Sequence, residues 1–136
     1  MKELVIEAKT ENLNQVFEFI DNQLEEMSCS AKTQMQIDIA IEEIFVNISN
    51  YAYYPGTGFV TIRVEFEMEP VSIIITCIDQ GTPYDPLAKE EPDITLTADQ
   101  RPIGGLGIFM VKKSMDQVSY KYKDNSNVLT LKKGLH

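Results

Sequence analysis

The chain has 136 residues, of which 43% are hydrophobic and 24% are charged, and this size and composition predict one globular domain over residues 1–136. A net charge of −9 argues against a nucleic-acid binder, because phosphate backbones need clustered cations. No apolar run is long enough for a signal peptide or a membrane span. We therefore expect a cytoplasmic protein that contacts neither nucleic acid nor a membrane directly.

The first part of the chain predicts a strand followed by a helix. Residues 2–8 alternate between apolar and polar side chains, which is typical of a strand. Thr10 is the predicted N-cap of a helix that extends to about Met27. Ser30 follows a break in the helical pattern and is the predicted cap of a second helix.

The second helix, from about Ser30 to Tyr53, is the element around which the rest of the prediction is arranged. It carries isoleucines at four-three-four spacing, a stripe that indicates a helix packed on a sheet: Ile37, Ile41, Ile44 and Ile48. Ile39 and Val46 lie on the opposite side of the helix, which is either covered or exposed for a partner. We expect the first helix to cover it.

Two pairs of strands follow in the sequence. The first pair is residues 59–67 and 71–78, and the isoleucines of the second strand predict a central position with both faces buried. The second pair is residues 118–123 and 128–132, joined by a hairpin turn at residues 124–127. With a third helix between the pairs, the order predicts an α+β fold. The expected architecture is a two-layer sandwich, in which a mostly antiparallel sheet carries three helices on one face.

A glycine-rich stretch opens the third helix, which extends to about residues 115–117. The stretch is Gly104-Gly105-Leu106-Gly107. Glycines at a helix N-terminus present bare amides and the positive end of the dipole, which suits a phosphate chain. The alternative is a flexible hinge, since the sequence has neither a P-loop lysine nor a strand directly before the glycines.

Residues 81–103, before this stretch, have no convincing periodicity. A segment of this length without structure is usually a lid, a binding loop or disordered. Arg101 within it is placed to reach a terminal phosphate, and an ordinary exposed arginine is the alternative.

Polar side chains lie together on one flank of the second helix. Glu43 and Asn47 are four residues apart on one face, and Asn50 falls beside them. The carboxylate is suited to activating a water or hydroxyl, and the amide oxygen to holding a metal ion. The alternative is a solvated polar flank.

Asp79 follows the predicted central strand and begins the sequence Asp-Gln-Gly. A carboxylate at the mouth of an apolar slot can accept a hydrogen bond from the exocyclic amine of adenine, while Gly81 lets a flat ring approach the backbone. The alternative is an ordinary Asx turn.

Residues 43–53, 79–86 and 104–107 together resemble the nucleotide site of the superfamily that includes DNA gyrase, heat-shock chaperone ATPases, sensor histidine kinases and mismatch-repair ATPases. Within this superfamily the chain resembles the small bacterial anti-sigma-factor serine kinases. The resemblance covers nearly the whole chain and implies the Bergerat-type ATPase fold, ATP and Mg²⁺. It departs from many relatives at Tyr51, where they have histidine, and at Arg101, which lies further from the glycines.

The resemblance also implies a role for each site residue. Glu43 would be the general base, with Arg101 facing the terminal phosphate, and Asn47 would bind Mg²⁺. Asp79 and Gly81 would recognise adenine, and Asn50 would line the site. Residues 104–107 (Gly104, Gly105, Leu106 and Gly107) would bind the phosphates.

The implied function is partner switching. The chain would phosphorylate a serine or threonine on an anti-anti-sigma protein, sequester a sigma factor, and form a homodimer. A protein-binding module gated by ATP, without kinase activity, is the main alternative, and a plain ATPase is another. A sensor histidine kinase domain is disfavoured because the only histidine is the terminal His136.

Overall fold

A five-stranded antiparallel sheet is the framework of the computed structural model, which describes residues 1–88 and 105–135. The strands are β1 (Lys2–Glu7), β2 (Phe59–Met68), β3 (Val71–Asp79), β4 (Gln117–Lys123) and β5 (Ser126–Gly134), in the order β1-β2-β3-β5-β4. The helices are α1 (Leu13–Glu26), α2 (Ala31–Asn47), which continues as a π-helical turn (Ile48–Ala52), and α3 (Gly105–Ser114). The predicted α+β class is confirmed.

One face of the sheet forms the core together with the helices. Alternate residues of neighbouring strands stand side by side on this face, so that Ile62 pairs with Cys77 and Cys77 pairs with Leu129, all at least nine-tenths buried. The other face is more open, because Ile74 and Ile78 are only half-buried and Val5 is exposed. The prediction that β3 is central is confirmed, and the prediction that both its faces are buried is wrong.

Helix α2 packs on this sheet through the predicted isoleucine stripe. Ile37, Ile41 and Ile44 are almost completely buried, together with Phe45. The helix begins as predicted, since the Ser30 hydroxyl accepts a hydrogen bond from the N–H of Thr33 at 3.2 Å. The remote side of α2 differs from the prediction: Ile39 is 50% exposed, so α1 does not cover it.

Two other element ends differ from the predictions for local reasons. Thr10 begins a single 3₁₀ turn instead of capping α1, which starts at Leu13. Helix α3 ends at Ser114, because the N–H of Asp116 donates to the carbonyl of Lys132 and joins the chain to β5. None of the helices within the described ranges combines the length and hydrophobicity that crossing a bilayer requires.

An isoleucine-to-alanine substitution should lower the stability of the protein much more on the buried side of α2 than on the exposed side. Ile41→Ala should lower the free energy of unfolding by about 2–5 kcal/mol, because it leaves a cavity in the core. Ile39→Ala, the matched control on the exposed side, should change it by less than about 0.5 kcal/mol. Urea denaturation followed by circular dichroism measures both, and equal losses would contradict the packing described for α2.

Candidate functional site

A cavity of about 570 Å³ opens between the end of α2, the loop after β3, the start of α3 and strands β4 and β5. Its volume lies within the range of small-molecule sites. Its apolar lining comes from the helices and β5: Ile44, Ile48, Ile108 and Leu129. Its polar lining includes Asn47, Asp79 and Asn127, together with the tyrosines Tyr51, Tyr54, Tyr84 and Tyr120. A few convergent polar groups in an apolar cavity are typical of a site for an organic ligand.

Asp79 is the buried acid of this cavity. It is the last residue of β3, and only 4% of its surface is exposed. Its Oδ1 atom accepts hydrogen bonds from the N–H of Gly81 and from Nδ2 of Asn127, each at 2.9 Å. The first bond makes an Asx turn, so the turn that the sequence allowed and the position in the cavity occur together. Both bonds hold the carboxylate in one orientation.

Gly81 lies against the end of α2 so closely that no side chain fits. A Cβ at this position would overlap the carbonyl of Ala52. The next residue fixes the same contact, since the N–H of Thr82 donates to the Ala52 carbonyl at 2.8 Å. The predicted adenine-binding loop is therefore attached to the π-helical turn that follows α2.

Asn127 joins β5 to this loop, a role that the sequence pattern does not indicate. Its Nδ2 donates to Asp79 and also to the carbonyl of Thr82 at 3.0 Å. Its Oδ1 accepts from the N–H of Tyr84 at 3.1 Å and from the hydroxyl of Tyr120. The residue was assigned to the hairpin turn by composition, whereas it is the first inward-facing residue of β5, two positions before Leu129.

Burial raises the pKa values of two neighbouring groups, Tyr120 and Cys77. Burial raises the pKa of the Tyr120 phenol, so its hydroxyl stays protonated and can donate to Asn127. Burial, with a smaller contribution from Asp79, raises the pKa of the Cys77 thiol to about 12. Cys77 is therefore a protonated core residue beneath the cavity and not a nucleophile.

Glu43 and Asn47 meet as the sequence predicts. Nδ2 of Asn47 donates to Oε1 of Glu43 at 3.2 Å. The half-buried carboxylate of Glu43 also lies against Gly107, where a Cβ would overlap it. Gly107 belongs to the first turn of α3, so the predicted base adjoins the predicted phosphate-binding turn.

Of the remaining predicted site residues, Asn50, Gly105 and Leu106 lie in helical turns that the structure describes. Gly105 and Leu106 begin α3, as expected for a helix opened by glycines. Asn50 is exposed and is not among the residues that line the cavity. It lies in the π-helical turn, where i→i+5 bonding changes the direction of side chains relative to an α-helix. Arg101, Gly104 and most of the predicted lid lie outside the described residues.

Within residues 1–88 and 105–135 no cluster of three histidine, cysteine or acidic side chains is arranged to hold a metal ion. Mg²⁺ in phosphate-transfer sites is held by one or two protein oxygens, by the substrate phosphates and by water, and not by a protein cage. Since Nδ2 of Asn47 donates to Glu43, its Oδ1 is the amide atom suited to a metal.

Comparisons with known proteins show the family to which the chain is similar. A family profile described as a histidine kinase-like ATPase domain matches residues 6–133. The chain is 26% identical over 102 residues to the serine/threonine-protein kinase BtrW of Bordetella bronchiseptica, covering 75% of this chain and 71% of BtrW. It is 27% identical over 100 residues to the serine-protein kinase RsbW of Listeria monocytogenes, covering 71% of this chain and 63% of that kinase, slightly less than two thirds.

Solved structures show the same fold. The structure of the RsbU and RsbW domains of a Mycobacterium tuberculosis protein aligns with a TM-score of 0.68 at 15% identity, covering 99% of this chain and 33% of that one. The Acinetobacter baumannii histidine kinase AdeS aligns with a TM-score of 0.52 at 10% identity, covering 100% and 70%.

The glycine contacts give a direct test of the site. Gly81→Ala should lower the free energy of unfolding by about 1–3 kcal/mol, because the new methyl group overlaps the Ala52 carbonyl. Gly56→Ala is the matched control: its Cβ would stand 3.5 Å from the carbonyl of Tyr53, an ordinary contact, and should cost less than about 0.5 kcal/mol. Urea denaturation of both variants measures the difference, and equal stability of the two would contradict the close approach at Gly81.

Proposed function

Because the chain belongs to the histidine kinase-like ATPase domain family, we propose that it is a serine/threonine-protein kinase and anti-sigma factor. It phosphorylates a serine or threonine of an anti-anti-sigma protein and sequesters a sigma factor. The observation that carries the proposal is the convergence of three separate segments on one cavity: the end of α2 with Asn47, the loop that starts at Asp79, and the first turn of α3. Glu43 does not line the cavity but contacts both Asn47 and Gly107 beside it.

Adenine binds in the apolar part of the cavity. Asp79 accepts a hydrogen bond from its exocyclic amine, and Asn127 with the Gly81 amide keeps the carboxylate turned toward the base. Ile48 of the π-helical turn and Leu129 of β5, both in the apolar lining, contact the ring. A carboxylate that only accepts hydrogen bonds favours an amino group at this position of the purine and disfavours the carbonyl of guanine.

The triphosphate extends toward the first turn of α3. Backbone amides and the helix dipole at Gly105 and Gly107 attract its negative charge. Asn47 holds Mg²⁺ through Oδ1, and the ion supplies neutralisation of charge on the phosphate oxygens. Arg101 and Gly104 belong to the same proposed phosphate site.

The transfer step needs a base beside the phosphate, and Glu43 is in this position. The hydroxyl oxygen of the partner's serine or threonine forms the new bond to the γ-phosphorus as the bond to the β–γ bridging oxygen breaks and ADP leaves. Glu43 accepts the hydroxyl proton, and general-base catalysis of this kind increases the rate by about 10²–10⁴-fold. Asn47 orients the Glu43 carboxylate through its hydrogen bond.

The kinase activity is proposed from the names of relatives, which are serine or serine/threonine kinases. The partners are proposed from the resemblance to the anti-sigma-factor serine kinases. Phosphorylation of the anti-anti-sigma protein would release the kinase, which would then bind the sigma factor. We further propose a cytoplasmic homodimer, in line with the partner-switching role.

One observation favours a second candidate function, an ATP-gated protein-binding module without kinase activity. Glu43 already accepts a hydrogen bond from Asn47 and contacts the first turn of α3, which are structural roles for a side chain expected to be catalytic. In this case ATP would order the protein-binding surface, and no phosphate would be transferred.

The role of Asp79 is tested by nucleotide binding. Asp79→Ala removes the acceptor for the adenine amine, and we expect ATP affinity to fall by about 10- to 150-fold, the equivalent of about 1.5–3 kcal/mol for a charge-assisted hydrogen bond. Asp79→Asn should lose ATP affinity and narrow the preference for ATP over GTP, because the amide can donate to a purine carbonyl. Isothermal titration calorimetry with Mg²⁺ measures both, with Glu69→Ala at the β2–β3 turn as the control. Unchanged ATP affinity in folded Asp79→Ala would remove the site assignment.

The role of Glu43 separates the two candidate functions. In a kinase, Glu43→Ala and Glu43→Gln should keep ATP affinity and lower the transfer rate by about 10²–10⁴-fold. Transfer of labelled phosphate from ATP to candidate anti-anti-sigma proteins is the measurement, and Glu11→Gln, exposed before α1, is the control. Full-rate transfer by the Glu43 variants would exclude Glu43 as the base. Tight ATP binding without transfer to any candidate would favour the binding module.

A further inference from the structure

The outer face of α2 forms a groove with α1, on the side of the helix away from the cavity. Six residues of α2 at spacings of three and one occupy a single helix face over three turns, and one residue of α1 completes the wall. This outer groove has a volume of about 310 Å³ and is lined by Phe17, Ala31, Gln34, Met35, Asp38, Ile39 and Glu42. None of these residues lines the nucleotide cavity.

Apolar side chains are left in water along the outer groove. Met35 is 60% exposed and Ile39 is 50% exposed, one turn apart on the same helix, while Phe17 is half-buried beside them. Burying such side chains is favourable by about 25 cal/mol for each Å² removed from water. A contiguous exposed apolar strip with a polar rim is typical of a protein-binding surface.

The charged side chains in the lining of the outer groove are both acids, Asp38 and Glu42. The ion pairs described within residues 1–88 and 105–135 involve neither of them. Asp21 of α1 adds a third acid, since its carboxyl lies within hydrogen-bond distance of Asp38. Neither acid of the groove therefore has an ion-pair partner in the described part of the chain, and the cation nearest to Asp38 in the sequence is the exposed Lys32 at the start of α2.

The carboxyl groups of Asp21 and Asp38 lie together without a cation paired to them among the described residues. The Oδ1 atom of each carboxyl is buried and meets no N–H or O–H donor in the part of the chain that the structure describes. Burial, and then the neighbouring Asp21, raise the pKa of Asp38 to about 8. A guanidinium or ammonium group placed at the rim would stabilise the ionised pair.

We propose that the outer groove binds an amphipathic helix of a partner protein whose apolar side chains, spaced i, i+4 and i+7, are flanked by arginine or lysine. The apolar side chains would contact Met35 and Ile39, and the cations would pair with Asp38 and Glu42. The groove is about 16 Å long along α2, from Ala31 to Glu42, which matches three turns of a docked helix.

Charge favours a basic partner over a second copy of this chain. In a two-fold dimer the same patch meets itself, so Glu42 would face its own equivalent and no cation would meet the Asp21–Asp38 pair. Like-charged groups held at an interface without cations between them are unfavourable.

The test uses the full chain labelled with ¹⁵N and two synthetic helical peptides with leucines at i, i+4 and i+7. One peptide has arginines flanking the leucines, and the other has glutamates at the same positions. Two-dimensional NMR titration should show shifts confined to the α2 outer face and to α1 around Phe17 with the arginine peptide only. Absence of these shifts at peptide concentrations on the order of 1 mM would overturn the proposal, since this corresponds to a free energy weaker than about −4 kcal/mol.

Paired variants separate specific docking from the general attraction of a cationic peptide to an acidic protein. Met35→Ser with Ile39→Ser should weaken arginine-peptide binding by about tenfold or more, and Asp38→Asn with Glu42→Gln should weaken it several-fold. The control variants remove exposed apolar or acidic groups elsewhere and should leave binding unchanged: Val5→Ser with Met68→Ser, and Glu11→Gln with Glu69→Gln.

Two outcomes would overturn the proposal even if the peptide binds. An equal loss in the control variants would mean that net charge or general apolar exposure carries the binding. Self-association of the free chain that Ile39→Ser abolishes, measured by light scattering, would mean that a second copy occupies the groove. Neither outcome bears on ATP binding, which the Asp79 variants test separately.

Discussion

The hydrogen bond between the Asn127 amide and the Asp79 carboxylate is the contact on which the geometry of the cavity depends. It joins the ends of β5 and β3 in a buried setting, where an unpaired polar group is costly. The same amide holds the carbonyl of Thr82 and the N–H of Tyr84, so one side chain fixes both the acid and the loop beyond it. The Asn127 side chain therefore positions both the Asp79 carboxylate and the loop that forms the cavity wall.

Most of the fold could be predicted because its elements follow from local patterns. The isoleucine stripe of α2 has helical periodicity, and the Ser30 cap is a local hydrogen bond, so both are visible in the sequence. The exposure of Ile39 was not visible, because it depends on where α1 packs, and the pattern of either helix alone does not specify this. The open second face of the sheet was missed for the same reason, since the isoleucines of β3 are compatible with one or two covered faces.

In the candidate site, contacts between residues close in the sequence could be predicted, and contacts between distant residues could not. Glu43 and Asn47 are one helical turn apart, and Asp79 and Gly81 belong to one turn, so their proximity within each pair followed from the sequence. The contact of Glu43 with Gly107 joins residues far apart in the chain, and only the family resemblance indicated it. Asn127 was hidden because asparagine next to Asp-Asn-Ser reads as a turn, whereas its place in the strand is set by pairing with Asp79.

The hydrogen bond from Thr82 to Ala52 has a consequence for dynamics. The last carbonyls of a helix lack partners within it, and here one of them is satisfied by the loop after β3. Opening of the loop therefore breaks the cap of the helix end, so the two segments are expected to unfold locally as one cooperative unit. Slow amide exchange at the C-terminal end of α2 would then report the closed state of the binding loop, without a probe on the loop itself.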